Sequence, residues 1–92
     1  MNGWGKSRTG PAAVIWDLED DPSGNAQHIA EHGITKAEVE EVLDNPAGIE
    51  TSRSSGRPIA FGETSTGRVI AVVFEKIDED VIYPITAYEF EA

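Results

Sequence analysis

A glycine between two helical patterns, followed by a switch to strand periodicity, constrains this chain more than any other feature. From His28 the sequence runs Ile-Ala-Glu-His32-Gly33-Ile34-Thr35, then Lys36-Ala-Glu-Val-Glu-Glu-Val-Leu-Asp44, and stops at Asn45-Pro46. Gly33 can take the left-handed conformation that ends a helix without a Cβ clash. Thr35 with Glu38 three residues on is the pattern of a capping box. Two short helices follow, about Ala26 to His32 and Lys36 to Asp44, with Ser23 or Asn25 as the cap of the first. Val39, Val42 and Leu43 make the apolar stripe of the second.

From Ile49 the period becomes two and β-branched residues dominate. Arg57 to Thr64 sets Arg57, Ile59, Phe61 and Glu63 against Pro58, Ala60, Gly62 and Thr64, a half-buried strand. Ser65-Thr66-Gly67 is a turn. Arg68 to Lys76 carries apolar residues on both faces, as a central strand covered at least in part on both sides would. Ile77 to Asp80 is a hairpin loop before a last strand, Val81 to Phe90. Pro84 lacks a ladder donor, so this strand lies at an edge or carries a bulge. A short strand, Ala13 to Asp17, precedes the helices. The predicted class is α+β, two short N-terminal helices packed on one face of an antiparallel β-sheet of about four strands. Its core is predicted to unite Val39, Val42, Leu43, Ile59, Phe61, Ile70, Val72, Phe74 and Ile85.

Ninety-two residues bound this to a single domain over 14–92, preceded by a flexible arm, residues 1–13, in which Trp4 is the only large apolar group. There is no cysteine, no signal-peptide pattern and no apolar run approaching a membrane span, so a cytoplasmic protein without membrane association is expected. The net charge is −10, and it is uneven. Residues 1–13 hold two basic and no acidic groups, 14–50 one basic and ten acidic, and 51–92 four basic and seven acidic. Such a balance repels a polyphosphate at long range and suits a basic partner protein drawn to the acidic helical face. A monomer or weak dimer is expected.

Candidate chemistry is sparse. His28 and His32 share a helix face at a spacing of four, but no third ligand is evident, so no metal and no cofactor is expected. His32 also suits the helix C-terminus, where free carbonyls accept donors. Ser52-Arg53-Ser54-Ser55-Gly56-Arg57 is either a solvated hairpin or a phosphate cradle built from backbone donors and two guanidiniums. Glu63, Glu75 and Tyr88 fall on strands and are candidates to line one surface of the sheet.

In order, Trp16-Asp17, a helix ending His32-Gly33-Ile34-Thr35, a Glu-rich helix before Asn45-Pro46, Gly62-Glu-Thr-Ser-Thr-Gly67-Arg68 leading into Val-Ile-Ala-Val-Val-Phe, and Ile85-Thr86-Ala87 resemble the BrnT family of type II toxin–antitoxin toxins. The similarity spans most of residues 14–88. It implies a RelE-like fold, metal-independent endoribonuclease activity that halts translation, and a cognate antitoxin as partner. Under this resemblance His32, Glu63 and Arg68 are the catalytic candidates, and Arg53, Arg57 and Tyr88 the substrate-binding ones. His28 stands where the family usually has asparagine, and Glu75 where threonine is common. Family members continue past the Ile-Ser-Ala-type motif into an arginine and a basic helix, whereas here Tyr88 follows and no basic helix is present, the pattern of a divergent member. Two functions therefore stand open: a ribonuclease toxin relative acting on RNA, and a non-catalytic binding or regulatory domain that keeps the fold.

Overall fold

Local sequence signals set both helix ends near the site. In the computed structural model, which describes residues 13–90, α1 (Asn25–Glu31) ends at His32, and Gly33 sits at φ +77°. The Gly33 N–H donates to the Ala30 carbonyl and the Ile34 N–H to that of Ile29, the paired bonds of a Schellman ending. Ile29 and Ile34 are both buried there. α2 (Lys36–Asp44) starts with the full capping box: the Thr35 hydroxyl accepts from the Glu38 N–H, and the Glu38 carboxylate accepts from the Thr35 N–H. The start of α1 differs from expectation. Gly24 is its N-cap, with no side-chain cap, because Ser23 bonds Asp21 and Asn25 turns inward.

The sheet has five strands rather than four and is mixed rather than antiparallel. β1 (Ala13–Val14), β2 (Gly48–Thr51), β3 (Pro58–Glu63), β4 (Val69–Asp78) and β5 (Val81–Glu89) stand in the order β1-β5-β4-β3-β2. β1 runs parallel to β5 and every other pair is antiparallel. The exposed β2 carried too little apolar alternation to be read as a strand of its own. β1 flanks only the start of β5, at Val81 and Ile82, so at Pro84 no strand pairs with β5 on its outer side and the Asn25 amide takes the Pro84 carbonyl instead. A register shift opposite Val73 and Phe74 absorbs the proline. Of the expected arm, Ala13 belongs to β1; Trp4 lies outside the described residues.

Asn25 joins these pieces. Its amide donates to the carbonyls of Ile15 at 3.0 Å and Pro84 at 2.8 Å, and its Oδ1 accepts from the Asp17 N–H at 2.9 Å. The Asp17 carboxylate accepts from the Asn25 N–H and, at 2.6 Å, from the Tyr83 hydroxyl. The tyrosine's hydrogen bond and the Asn25 N–H hold the Asp17 carboxyl below its usual range. The bond to Asp17, with partial burial and the charge beside it, pushes Tyr83 up to about 12.

α2 packs on β3 and β4, and α1 on β5. Ile29, Ile34, Val39, Val42 and Leu43 from the helical side close over Ala60, Ile70, Val72, Phe74, Ile82 and Ala87. Val14 and Trp16 pack at the margin. The core thus takes the small residues of β3, not Ile59 and Phe61 as expected. Steric reach decides this. A Cβ at Gly62 would lie 3.2 Å from Val42 Cγ1, so α2 approaches β3 more closely than bulky side chains permit. Ile59 and Phe61 point to the other face, and Ile85, at the irregularity beside Pro84, is also outside the core cluster.

Candidate functional site

The turn between β3 and β4 ends at Arg68, and this guanidinium is the centre of the candidate site. Gly67 allows the turn at φ +89°, and the Arg68 N–H donates to the Thr64 hydroxyl at 3.2 Å. The side chain reaches the corner between the helices. Its Nη1 donates to the Gly33 carbonyl at 3.2 Å and to the Glu38 carboxylate at 3.0 and 3.1 Å, while Nη2 donates to Glu89 at 3.3 Å. One side chain therefore ties the β3–β4 turn, the helix corner and the end of β5. The bond to Glu89, followed by that to Glu38, raises the Arg68 pKa further. The Thr35 N–H, with Arg68 assisting, holds the Glu38 carboxyl down. Glu38 is the enclosed partner, its side chain 15% exposed against 49% for Glu89.

His32 immediately precedes Gly33, whose carbonyl Arg68 binds, so His32 and Arg68 belong to the same corner. The His32 ring meets that of His28 edge-on, with centroids 5.2 Å apart, and both residues are exposed. Among the described residues no cluster of three His, Cys, Asp or Glu side chains forms a metal site. Glu63 and Tyr88 lie elsewhere. The register pairs Glu63 with Val69 and Tyr88 with Ala71, which puts both on the sheet face opposite the helices. Glu63 nonetheless stays near the turn, its carboxylate 3.9 Å from where a Cβ on Gly67 would stand.

Arg53 and Arg57 are not part of this corner. They occupy the β2–β3 loop at the other end of the sheet, and the six steps from Arg57 to Glu63 cover about 20 Å at roughly 3.3 Å per residue. Several of the loop's backbone donors are also engaged within it. The Ser55 N–H binds the Ser52 hydroxyl, the Gly56 N–H the Ser52 carbonyl, and the Arg57 N–H the Ser55 hydroxyl. The loop is thus bonded largely within itself.

Sequence reasoning missed Glu38 and Glu89 as the partners of Arg68. The capping box pointed to Glu38 only as a cap, and nothing marked Glu89. An open groove of about 690 Å³ between the helices was equally invisible. It is lined by Ala26, Ala30, Ile34 and Ala37, with the 2.7 Å Lys36–Glu19 ion pair at its side. Lys36 also sits over the Trp16 ring, whose Nε1 donates to Glu40 at 2.8 Å.

Two short helices crossing one face of a five-stranded sheet, with an arginine locked at the helix corner, define a small α+β fold. The chain is similar in structure to the Brucella abortus ribonuclease toxin BrnT: the likeness covers 87% of this chain and 97% of that one, with a TM-score of 0.62 and 26% sequence identity. The fold is BrnT-like. No family model matches the sequence, and no curated protein does. No helix among the described residues is long and apolar enough to cross a membrane.

Proposed function

We propose that this chain is a toxin component of the BrnT type that cleaves RNA, with the reacting phosphate at the corner between the helices. The likeness to a ribonuclease toxin over nearly the whole of both chains carries this reading. In metal-free cleavage the 2′-hydroxyl loses its proton to a base, the 2′-oxygen attacks phosphorus, and the departing 5′-oxygen takes a proton from an acid. A fixed cation stabilises the charge gathering on the phosphoryl oxygens. Arg68 supplies that cation. Glu38 keeps its position while the phosphate displaces the exposed Glu89. His32, beside Gly33, transfers a proton on the helical side, and Glu63 is the proton-transfer group beyond the turn. Tyr88 stacks on or bonds the adjoining nucleotide. Arg53 and Arg57 serve only a longer RNA that extends to the far end of the sheet. The proposed partner is a cognate antitoxin, and the proposed place of action the cytoplasm.

The engagement of Arg68 by two carboxylates favours one other reading, a binding domain without catalysis. Expression in bacteria without any partner separates the two. Growth arrest, together with cleavage of a labelled RNA by the purified chain, both abolished by Arg68→Ala or His32→Ala, is the expected result. Harmless expression with no cleavage at any pH overturns the ribonuclease reading in favour of the binding domain.

A further inference from the structure

Beyond the helix corner, the other face of the sheet carries its own apolar surface. Register places Ile59, Phe61, Val69, Val73, Tyr88 and Phe90 together there, in rows that cross β3, β4 and β5 around the buried Ala71. Phe61 and Phe90 meet edge-on with centroids 5.4 Å apart. Val69, Tyr88 and Phe90 are each about two-fifths exposed, at 39%, 39% and 43%. No described helix lies over them. Contiguous apolar surface of this kind on a small domain marks an interaction site.

Its rim is acidic. On the same face Glu50 flanks the patch on β2, Glu63 closes one end and Glu75 the other. These three carboxylates make no ion pair among the described residues. On the helical side Glu38 and Glu89 are paired with Arg68 and Glu19 with Lys36, while Glu31 and Asp44 have no ion-pair partner among the described residues. A basic partner seated on the apolar patch therefore finds three uncompensated carboxylates around it.

We infer that the helix-free face of the sheet docks a basic segment of another protein, one whose apolar side chains cover the Phe61–Phe90 patch while its lysines or arginines reach Glu50, Glu63 and Glu75. A second copy of this chain is disfavoured, since each copy carries −10. Exposed aromatics on a sheet also stack nucleic-acid bases, as proposed for Tyr88 at its end, but the carboxylates around the patch disfavour a polyphosphate lying across the whole face. This inference does not rest on the ribonuclease reading, which centres on Arg68 and His32 at the helix corner, although that reading also draws on Glu63 and Tyr88 from this face.

The test titrates the full isotope-labelled chain with a short peptide of alternating lysine and leucine, with a glutamate-for-lysine peptide and a single-stranded RNA as comparisons. The lysine peptide binds, and amide shifts cluster at Phe61, Tyr88 and Phe90. Val69→Lys weakens binding by about tenfold or more, because it sets like charge in the patch. Glu63→Lys with Glu75→Lys, both at exposed sites, does the same and decides the matter if Val69→Lys does not fold. Glu31→Lys, on α1, changes the net charge without touching the patch and leaves affinity within about twofold. The inference is overturned if Glu31→Lys weakens binding as much as the patch variants. It is equally overturned if the lysine peptide does not bind, if RNA binds this face more tightly than the peptide, or if the free chain is a dimer that buries these residues.

Discussion

Asn25 is the residue whose loss the structure prices most clearly. Its side chain is 3% exposed and makes three hydrogen bonds of 2.8–3.0 Å, to Ile15, Pro84 and Asp17, joining β1, α1 and β5. Asn25→Ala keeps the backbone bond to Asp17 but strands two carbonyls and one N–H. At about 1 kcal/mol net per bond, the loss is roughly 3 kcal/mol. Against a total of about 5–15 kcal/mol for a domain of this size, that is a large fraction. A thermal midpoint lower by roughly 12–24 °C follows from about 4–8 °C per kcal/mol. Asn25→Asp separates hydrogen bonding from packing, because the shape is kept while a carboxylate replaces the amide that faces two carbonyl oxygens. Its charged form is disfavoured in the fold, so its folded pKa stands above the unfolded value of about 3.9. The penalty is absent well below that value and complete above the folded pKa. The gap between Asn25→Asp and the parent should therefore widen as pH rises from about 4 to 7. Calorimetric scans across this range check both variants. Midpoints within about 4 °C of the parent for Asn25→Ala, or a pH-independent gap for Asn25→Asp, would refute the reasoning.

Phe74→Ala should cost about 3–5 kcal/mol in urea unfolding, since the ring is 2% exposed within the core cluster. Gly62→Ala should cost about 1–3 kcal/mol by the same measurement, because its Cβ would stand 3.2 Å from Val42 Cγ1 and force α2 away from β3. Tyr83 titrates at about 12 in the fold against 10.0 for an ordinary tyrosine, so its neutral form is favoured there. Its contribution is complete below pH 10.0 and is lost as pH rises toward about 12, and Tyr83→Phe should remove that part of the alkaline destabilisation seen by circular dichroism.

What the sequence determined by itself is what short-range chemistry controls. Gly33 and the Thr35–Glu38 box fixed the helix corner, because capping satisfies backbone groups within four residues of one another. Period two and the Ser65–Gly67 turn fixed β3 and β4, and the order of these elements already resembled the BrnT pattern. Tertiary structure decided everything that depends on distance across the fold. Alternation along β3 offered two faces, and the bulkier one was the natural choice for the core. The close approach of α2 to Gly62 reversed it and left Phe61 on the open face. The parallel pairing of β1 with β5, as Ala13 with Val81, and the bond from Asn25 to Pro84, 59 positions apart, are links no local pattern encodes. The candidate site divided for the same reason. Arg68 met Glu38 and Glu89 because the register of β4 with β5 and the seat of α2 brought them within 3.3 Å, whereas β3 holds Arg53 and Arg57 at the far end of the sheet. Residue type and spacing specify which chemistry is available, but only long-range packing sets which charges meet.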